Sequence, residues 1–187
     1  MKPTALLLSE HRVIEQMLSV LEKLASQLAS QEDQLIDEAD AGQLIHFFQQ
    51  FADRCHHAKE ESLLFPALER KGFPRQMGPI GVRMHEHDLG RNHLRSMAEA
   101  LAVMHSGNLE ARNLFLQHAQ AYINLLRDHI YKEDHILFVM AEQVLPAQEQ
   151  EQILHEFQQV EHTVVAAGEH NGWVQTAHRL AHKYGLC

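Results

Sequence analysis

Apolar residues recur at every third or fourth position along most of the chain, which is the spacing of one face of an α-helix. Leu7, Ile14 and Leu21 belong to the first such stripe, and it predicts a helix from Pro3-Thr4 to about Ser30. Five further helices are predicted. They cover Ala41 to Arg70, Pro79 or Ile80 to Ser106, Leu109 to Leu145, a segment ending near Ala167, and Val174 to Tyr184.

Helix-breaking residues are few, and they fall between the apolar stripes. The chain has only nine Gly and five Pro in 187 residues, with Gly72-Phe73-Pro74 and Pro146 at two predicted helix ends. Four long helices with short connections favour an antiparallel bundle. The pattern therefore predicts an all-α fold, in which residues 1–146 form an up-down four-helix bundle and residues 147–187 form a C-terminal helical extension packed on it.

Composition narrows the classes of partner. The formal net charge is −9 and no basic run is present, so nucleic acid is not expected as a partner. No apolar stretch reaches the roughly 18 residues of a membrane-spanning helix, so no membrane association is expected. Cys55 and Cys187 are the only cysteines, which excludes a cysteine-based zinc or iron–sulfur site and fits a cytoplasmic location. The chain has sixteen histidines, as many as Lys and Arg together. Because neutral histidine is a common metal ligand, this number favours a metal-binding protein.

The histidines are organised by an internal repeat. Ser9-Glu10-His11 corresponds to His85-Glu86-His87, and the ten residues from His56 to Phe65 correspond to those from His129 to Phe138. Each half of the chain therefore supplies one lone histidine on its first helix and a His-x-x-x-Glu pair on its second helix. Such a match is hard to obtain by accident, whereas a single His-Glu pair is usually a buried hydrogen-bonded pair.

A histidine and a glutamate four residues apart lie on the same helix face, so both can reach one metal centre inside a bundle. The predicted ligands are His11, His56, Glu60, His87, His129 and Glu133. If both carboxylates bridge two ions, coordination positions stay open for an exogenous ligand. Imidazole and carboxylate without sulfur suit iron or manganese, with zinc as an alternative. No histidine has a Glu three residues before it, which disfavours the Glu-x-x-His sites of ferritin-like bundles.

The His-His-x-x-Glu-Glu stretch from His56 to Glu61 resembles the hemerythrin-like family, also known as the HHE cation-binding domain. The resemblance covers about residues 5 to 145, and the last segment, Leu180 to Gly185, is similar to the tails of many bacterial members. It implies a four-helix bundle around two non-haem iron ions joined by an oxo or hydroxo bridge. It also implies the six ligands above, with both glutamates bridging.

Two positions differ from the oxygen-carrying members. Arg91 stands where those proteins have a second histidine on the third helix, and Asp134 has the spacing of their bridging aspartate. Glu133 and Asp134 therefore compete for the bridging role, and the repeat favours Glu133. The set of four His and two Glu is more similar to members associated with iron sensing, nitric oxide or peroxide chemistry, and the repair of iron centres.

Two functional hypotheses follow. The first is a protein of the stress response that binds or reacts with a small diatomic or peroxide ligand such as O2, NO or peroxide. The second is a non-catalytic iron or oxygen sensor, or an iron donor for repair. A homodimer is compatible with both. His57 and Glu61 lie about 100° around an α-helix from His56 and Glu60, so they are expected beside the site rather than in it.

Overall fold

The computed structural model describes residues 1–30, 37–104, 108–164 and 169–186, with the side chains of residues 161–171 excluded. The described chain is all-helical and contains no strand. Six helices follow one another, and we number them α1 to α6. They are α1 (Pro3–Ser30), α2 (residues 38–70), α3 (Gly78–Val103), α4 (residues 109–144), α5 (Ala147–Val164) and α6 (Glu169–Lys183). The predicted helix ends at Ser106 and Ala167 lie outside the described residues.

Helices α2 and α4 are not α-helical throughout. Phe48–His57 and Glu60–Leu64 in α2, and Glu133–Leu137 in α4, are wound as π-helix, with hydrogen bonds from residue i to residue i+5. The sequence pattern did not predict these segments. A π-helical turn is wider and contains one extra residue. After each segment the buried apolar residues therefore come one position later than α-helical spacing predicts.

This shift corrects one detail of the predicted stripe. Ile136, which α-helical spacing places in the core, is 50% exposed, whereas Leu137 is buried. In the same way Leu64 is fully buried and Leu63 only partly. π-helical turns often occur at functional sites, and here they contain the two His-x-x-x-Glu pairs.

Two apolar clusters lie on opposite sides of a polar layer. One contains Leu7, Leu64, Ile80 and Leu137, and the other contains residues such as Ile14, Ala52, Leu94 and Ile130. Each of the first four helices passes through both clusters, and successive helices meet them in opposite order. The predicted ligand residues come between the two clusters in all four helices.

The C-terminal helices join these clusters. Ile153 and Phe157 of α5 belong to the cluster of Leu7, while Leu180 of α6 belongs to the other cluster. Lys183 forms salt bridges with Asp37 and Asp40, which fastens the end of α6 to the start of α2. The domain division at residue 146 stays a prediction. No helix among the described residues is long and apolar enough to cross a membrane.

Candidate metal centre

The six predicted ligand residues meet in the polar layer between the apolar clusters. Each has at most 1% of its surface exposed. Together with His57 they offer nitrogen and oxygen atoms that form two overlapping groups, and within each group the atoms lie within 4.8 Å of one another. The first group is His11, His56, Glu60 and Glu133; the second group is His57, Glu60, His87 and His129.

The two glutamates lie between the groups. Glu60 has Oε1 at 3.7 Å from His56 Nε2 and Oε2 at 3.4 Å from His87 Nε2. Glu133 Oε2 is 3.4 Å from His11 Nε2 and 3.1 Å from His129 Nε2. Each carboxylate therefore faces one imidazole of the first group and one of the second, as a bridging ligand does.

The other ring nitrogen of each of the four predicted histidines has a carboxylate partner. The Nδ1–H donates to Asp134 from His11 at 2.6 Å, to Glu10 from His56 at 2.8 Å, to Glu61 from His87 at 2.7 Å, and to Glu86 from His129 at 2.8 Å. A carboxylate on the far nitrogen fixes the orientation of a ligand imidazole and leaves the Nε2 lone pair for a metal.

Every one of these four carboxylates is backed by a cation. Lys59 pairs with Glu10, Arg83 with Glu86 at 2.9 Å, Arg91 with Glu61 at 2.6 Å, and Arg12 with Asp134. The four outer carboxylates are therefore neutralised by the protein. Glu60 and Glu133 pair with no Lys or Arg among the described residues, and face histidines instead.

The unpaired polar atoms identify what the site accommodates. In the described structure Nε2 of the four histidines and both oxygens of Glu60 and Glu133 are buried without a hydrogen-bond partner. Leaving one such group unsatisfied costs about 1–3 kcal/mol, so a group of eight requires a compensating ligand. Cations bound between the imidazoles and carboxylates satisfy all eight atoms, and the site therefore fits metal ions.

His57 is a fifth histidine at the site, and the sequence reasoning missed it. Its ring stacks on His87 with centroids 3.8 Å apart, and one of its nitrogens belongs to the second group. The expectation that His57 lies beside the site assumed 100° per residue. Phe48–His57 is π-helical, however, so each residue turns through a smaller angle and His57 points closer to His56. The sequence did contain one indication of this role, since His57 is adjacent to His56 on a helix that also contains Glu60 and Glu61.

Arg91 lies outside both groups of ligand atoms. It donates to Asp53 at 2.8 Å and to Glu61 at 2.6 Å. Asp53 is itself 3.6 Å from Nδ1 of His57. The arginine that replaces a histidine of the oxygen carriers thus holds the carboxylates that face two other histidines.

Asp134 lies on the outer side of His11. It accepts from Nδ1 of His11 and from Arg12, and it belongs to neither group. Of the two residues that compete for the bridging role, Glu133 is the one between the groups. His85 is exposed and Cys55 is buried.

Aromatic rings cover the imidazoles on the side of the Leu7 cluster. Phe138 stacks on His11 with centroids 5.4 Å apart, and Phe65 stacks on His87 at 6.0 Å. The two phenylalanines occupy equivalent positions of the repeat, and both are buried. They exclude water from one side of the site and so strengthen the electrostatic interactions within it.

The surroundings raise the pKa of some groups in the site and lower the pKa of others. Burial lowers the pKa of His11, but the hydrogen bond to Asp134 and the nearby carboxylates of Glu133 and Asp134 outweigh it and raise that pKa to about 9. Burial and the charge on His11 lower the pKa of His56 to about 3. Burial and the charge of Glu133 raise the pKa of Glu60 well above its usual range. In the metal-free protein His11 is therefore protonated at neutral pH, and an entering metal displaces that proton.

This gives a prediction for the metal-free protein. The pKa of His11, raised to about 9, and the raised pKa of His129 mean that the folded state keeps protons which the unfolded chain loses near pH 6.5. The histidines whose pKa is lowered by burial are neutral in both states only above about pH 7.5, so the free energy of unfolding should fall as the pH rises from about 7.5 to about 9. Denaturant unfolding of chelator-treated protein across this range measures it, and a rise in stability over the same range would contradict the assignment.

The fold and the site together define a helical cation-binding protein with a buried histidine and carboxylate centre. The sequence matches the family model of the hemerythrin HHE cation binding domain over residues 2–141. The chain therefore belongs to the hemerythrin HHE family, as the sequence motifs predicted. No curated protein matches the chain significantly.

Proposed function

We propose that the chain holds two non-haem iron ions, one in each group of ligand atoms, with Glu60 and Glu133 shared between them. The observation that carries this proposal is the set of buried, unpaired nitrogen and oxygen atoms that converge from four helices. The alternating order in which α1 to α4 meet the two apolar clusters supports an antiparallel four-helix bundle as the scaffold. The oxo or hydroxo bridge stays a prediction, and manganese or zinc is the alternative metal.

We propose that the site binds or reacts with a small ligand such as O2, NO or peroxide. Iron supplies the redox and Lewis-acid chemistry when it is bound. The first group offers two imidazoles and two shared carboxylates, fewer than the six ligands of an octahedral ion. The second group has a third imidazole from His57. The two ions are therefore inequivalent, and the one beside His11 and His56 is the more open to a ligand.

A second candidate is a non-catalytic iron or oxygen sensor, or an iron donor for the repair of iron centres. The observation that favours it is that the ligands come from four separate helices, so that metal binding ties the helices together. Iron-loaded protein that turns over neither hydrogen peroxide nor nitric oxide, but unfolds more readily when chelated, supports this candidate. Rapid turnover of either ligand supports the first.

Metal content after anaerobic reconstitution with iron tests both candidates at once. We expect about two ions per chain in the wild type. His56→Ala should lose most of them, because His56 belongs to the first group and its Nε2 also faces Glu60, the residue common to both groups. His178→Ala is the control, since His178 is exposed on α6, and it should keep the wild-type content. Fewer than about one ion per wild-type chain, or equal losses in both variants, would sink the proposal.

The cellular setting is a further set of proposals. We propose a cytoplasmic protein with a role in the stress response, whose partner is the small diatomic or peroxide ligand rather than nucleic acid or a membrane. Size-exclusion chromatography with light scattering tests the predicted homodimer.

A further inference from the structure

A second arrangement of histidines lies outside both ligand groups. His93 of α3 and His118 of α4 face each other across the two helices, with their Nδ1 atoms 2.9 Å apart. Their ring centroids are 5.2 Å apart and the rings are tilted by 52°. Both side chains are half-buried, so solvent reaches them. Neither residue belongs to the internal repeat or to the groups around Glu60 and Glu133.

Without a metal, one ring donates its Nδ1–H to the lone pair of the other. Burial and the charge of His118 lower the pKa of His93, which favours the neutral form of that ring. A neutral pair offers a lone pair at one Nδ1 and a proton at the other. When the proton of the donating ring moves from its Nδ1 to its Nε2, both rings stay neutral and both Nδ1 lone pairs can bind one divalent cation.

The two nitrogens are close enough to bind one ion together. Two metal–nitrogen bonds of about 2.0–2.1 Å at a right angle place the nitrogens about 2.9 Å apart, whereas a tetrahedral angle requires about 3.3 Å. The observed 2.9 Å is the length of the hydrogen bond between the rings, and it equals the spacing of two ligands at a right angle, so the rings can bind one ion in that arrangement with little movement. Right angles between neighbouring ligands are typical of the tetragonal geometry of Cu²⁺ and Ni²⁺ with nitrogen ligands.

We propose that His93 and His118 form a binding site for a divalent transition-metal ion, with Cu²⁺ or Ni²⁺ preferred, that links α3 to α4. The residues three and four positions from each histidine include no carboxylate, cysteine or further histidine. Water therefore completes the coordination. The ion at this site is exchangeable, in contrast to the ions held in the buried centre. The proposal does not depend on the metal or the reaction of that centre.

The test is a Cu²⁺ titration of metal-free protein, counting bound ions per chain by metal analysis after removal of free copper. His93→Ala and His118→Ala should each bind one ion fewer than the wild type, because a single imidazole does not chelate. His85→Ala is the matched control: His85 is an exposed histidine of the same helix, and its removal should leave the count unchanged. Copper in the buried centre contributes equally to all four proteins.

Thermal unfolding provides a second readout that does not depend on the count. Each variant is first melted without metal, which identifies any that fail to fold, and the two alanine variants replace one another in that case. Cu²⁺ should raise the melting temperature of the wild type and of His85→Ala by more than that of His93→Ala or His118→Ala, because only the intact pair ties two helices together. Equal counts and equal shifts in all proteins would overturn the proposal.

Discussion

Replacing Glu60 with glutamine is expected to remove both metal ions and, at the same time, to make the metal-free protein more stable. Glu60 is the one residue that belongs to both groups of ligand atoms. Its two oxygens face imidazoles of different groups, so the loss of its charge weakens both metal sites. We expect metal content to fall below about one ion per chain after iron reconstitution.

The gain in stability has a separate cause. In the metal-free protein both oxygens of Glu60 are buried without a partner, and the carboxylate faces Glu133. Glutamine cannot ionise, so it removes the cost of a charge at this buried position, and it offers an N–H to Glu133. Relief of one unsatisfied buried group is worth about 1–3 kcal/mol. The free energy of unfolding from urea titration of chelated protein should rise by an amount in this range.

His57→Ala is the matched comparison for the Glu60 variant. His57 belongs to the second group only, so about one ion per chain should remain, in the first group. If His57→Ala loses no metal, His57 is a neighbour of the centre and not a ligand. If Glu60→Gln keeps two ions and is less stable than the wild type, the carboxylate is a structural residue and the proposed shared position is wrong.

The sequence was sufficient to predict which six residues come together. Period-3.6 stripes placed the helices, and the repeat distinguished His11, His56, His87 and His129 from twelve other histidines. The stripes and the repeat both depend on the number of residues between positions, and this number decides which side chains share a helix face when the helices pack. The choice between Glu133 and Asp134 also agrees with the geometry, because equivalent positions of a repeat acquire equivalent surroundings.

The π-helical turns could not be predicted from the same spacing. An α-helical count places Ile136 inside and His57 to one side, and both expectations fail after the hydrogen bonding changes to i→i+5. Nothing in the local composition distinguishes a π-helical turn from an α-helical one. The energetic reason lies in the tertiary structure, where the histidines and glutamates must converge.

The sequence also could not predict which carboxylate each histidine hydrogen-bonds to, because the two residues of each pair lie on different helices. Glu10 precedes His11 but accepts from His56, and Glu86 precedes His87 but accepts from His129. Within each half of the repeat, the carboxylate beside the lone histidine orients the histidine of the pair. Glu61 and Asp134 then link one half to the other. The repeat thus produces an approximately two-fold network of histidine, carboxylate and cation around the two central glutamates.

The second prediction concerns the stability of the protein without Lys59, the cation that pairs with Glu10. Lys59 is fully buried, and its ammonium pairs with the Glu10 carboxylate that orients His56. Lys59→Met preserves most of the volume but leaves the charge of Glu10 buried without its cation. Breaking one partner of a buried pair costs about 3–5 kcal/mol. For a chain of this size the melting temperature of chelated protein should fall by roughly 6–20 °C.

Two variants separate this charge effect from a loss of packing. Lys132 is the equivalent of Lys59 in the second half of the repeat, but its side chain is 39% exposed, so Lys132→Met should change stability by less than about 0.5 kcal/mol. The double variant Glu10→Gln with Lys59→Met removes both charges, while the amide oxygen introduced at position 10 still accepts from His56. It should therefore recover most of the lost stability. A double variant no more stable than Lys59→Met would show that packing of the lysine, and not its charge, is what the fold requires.

Metal affinity gives an independent measure of the same pair. The loss of an outer partner of a ligand histidine typically weakens metal binding by about 10–100-fold. Lys59→Met should show that loss in a competition titration against a chelator, and Lys132→Met should not. The two lysines differ in this way because Glu86 keeps its pairing with Arg83 when Lys132 is replaced, whereas the buried Glu10 loses the ammonium of Lys59.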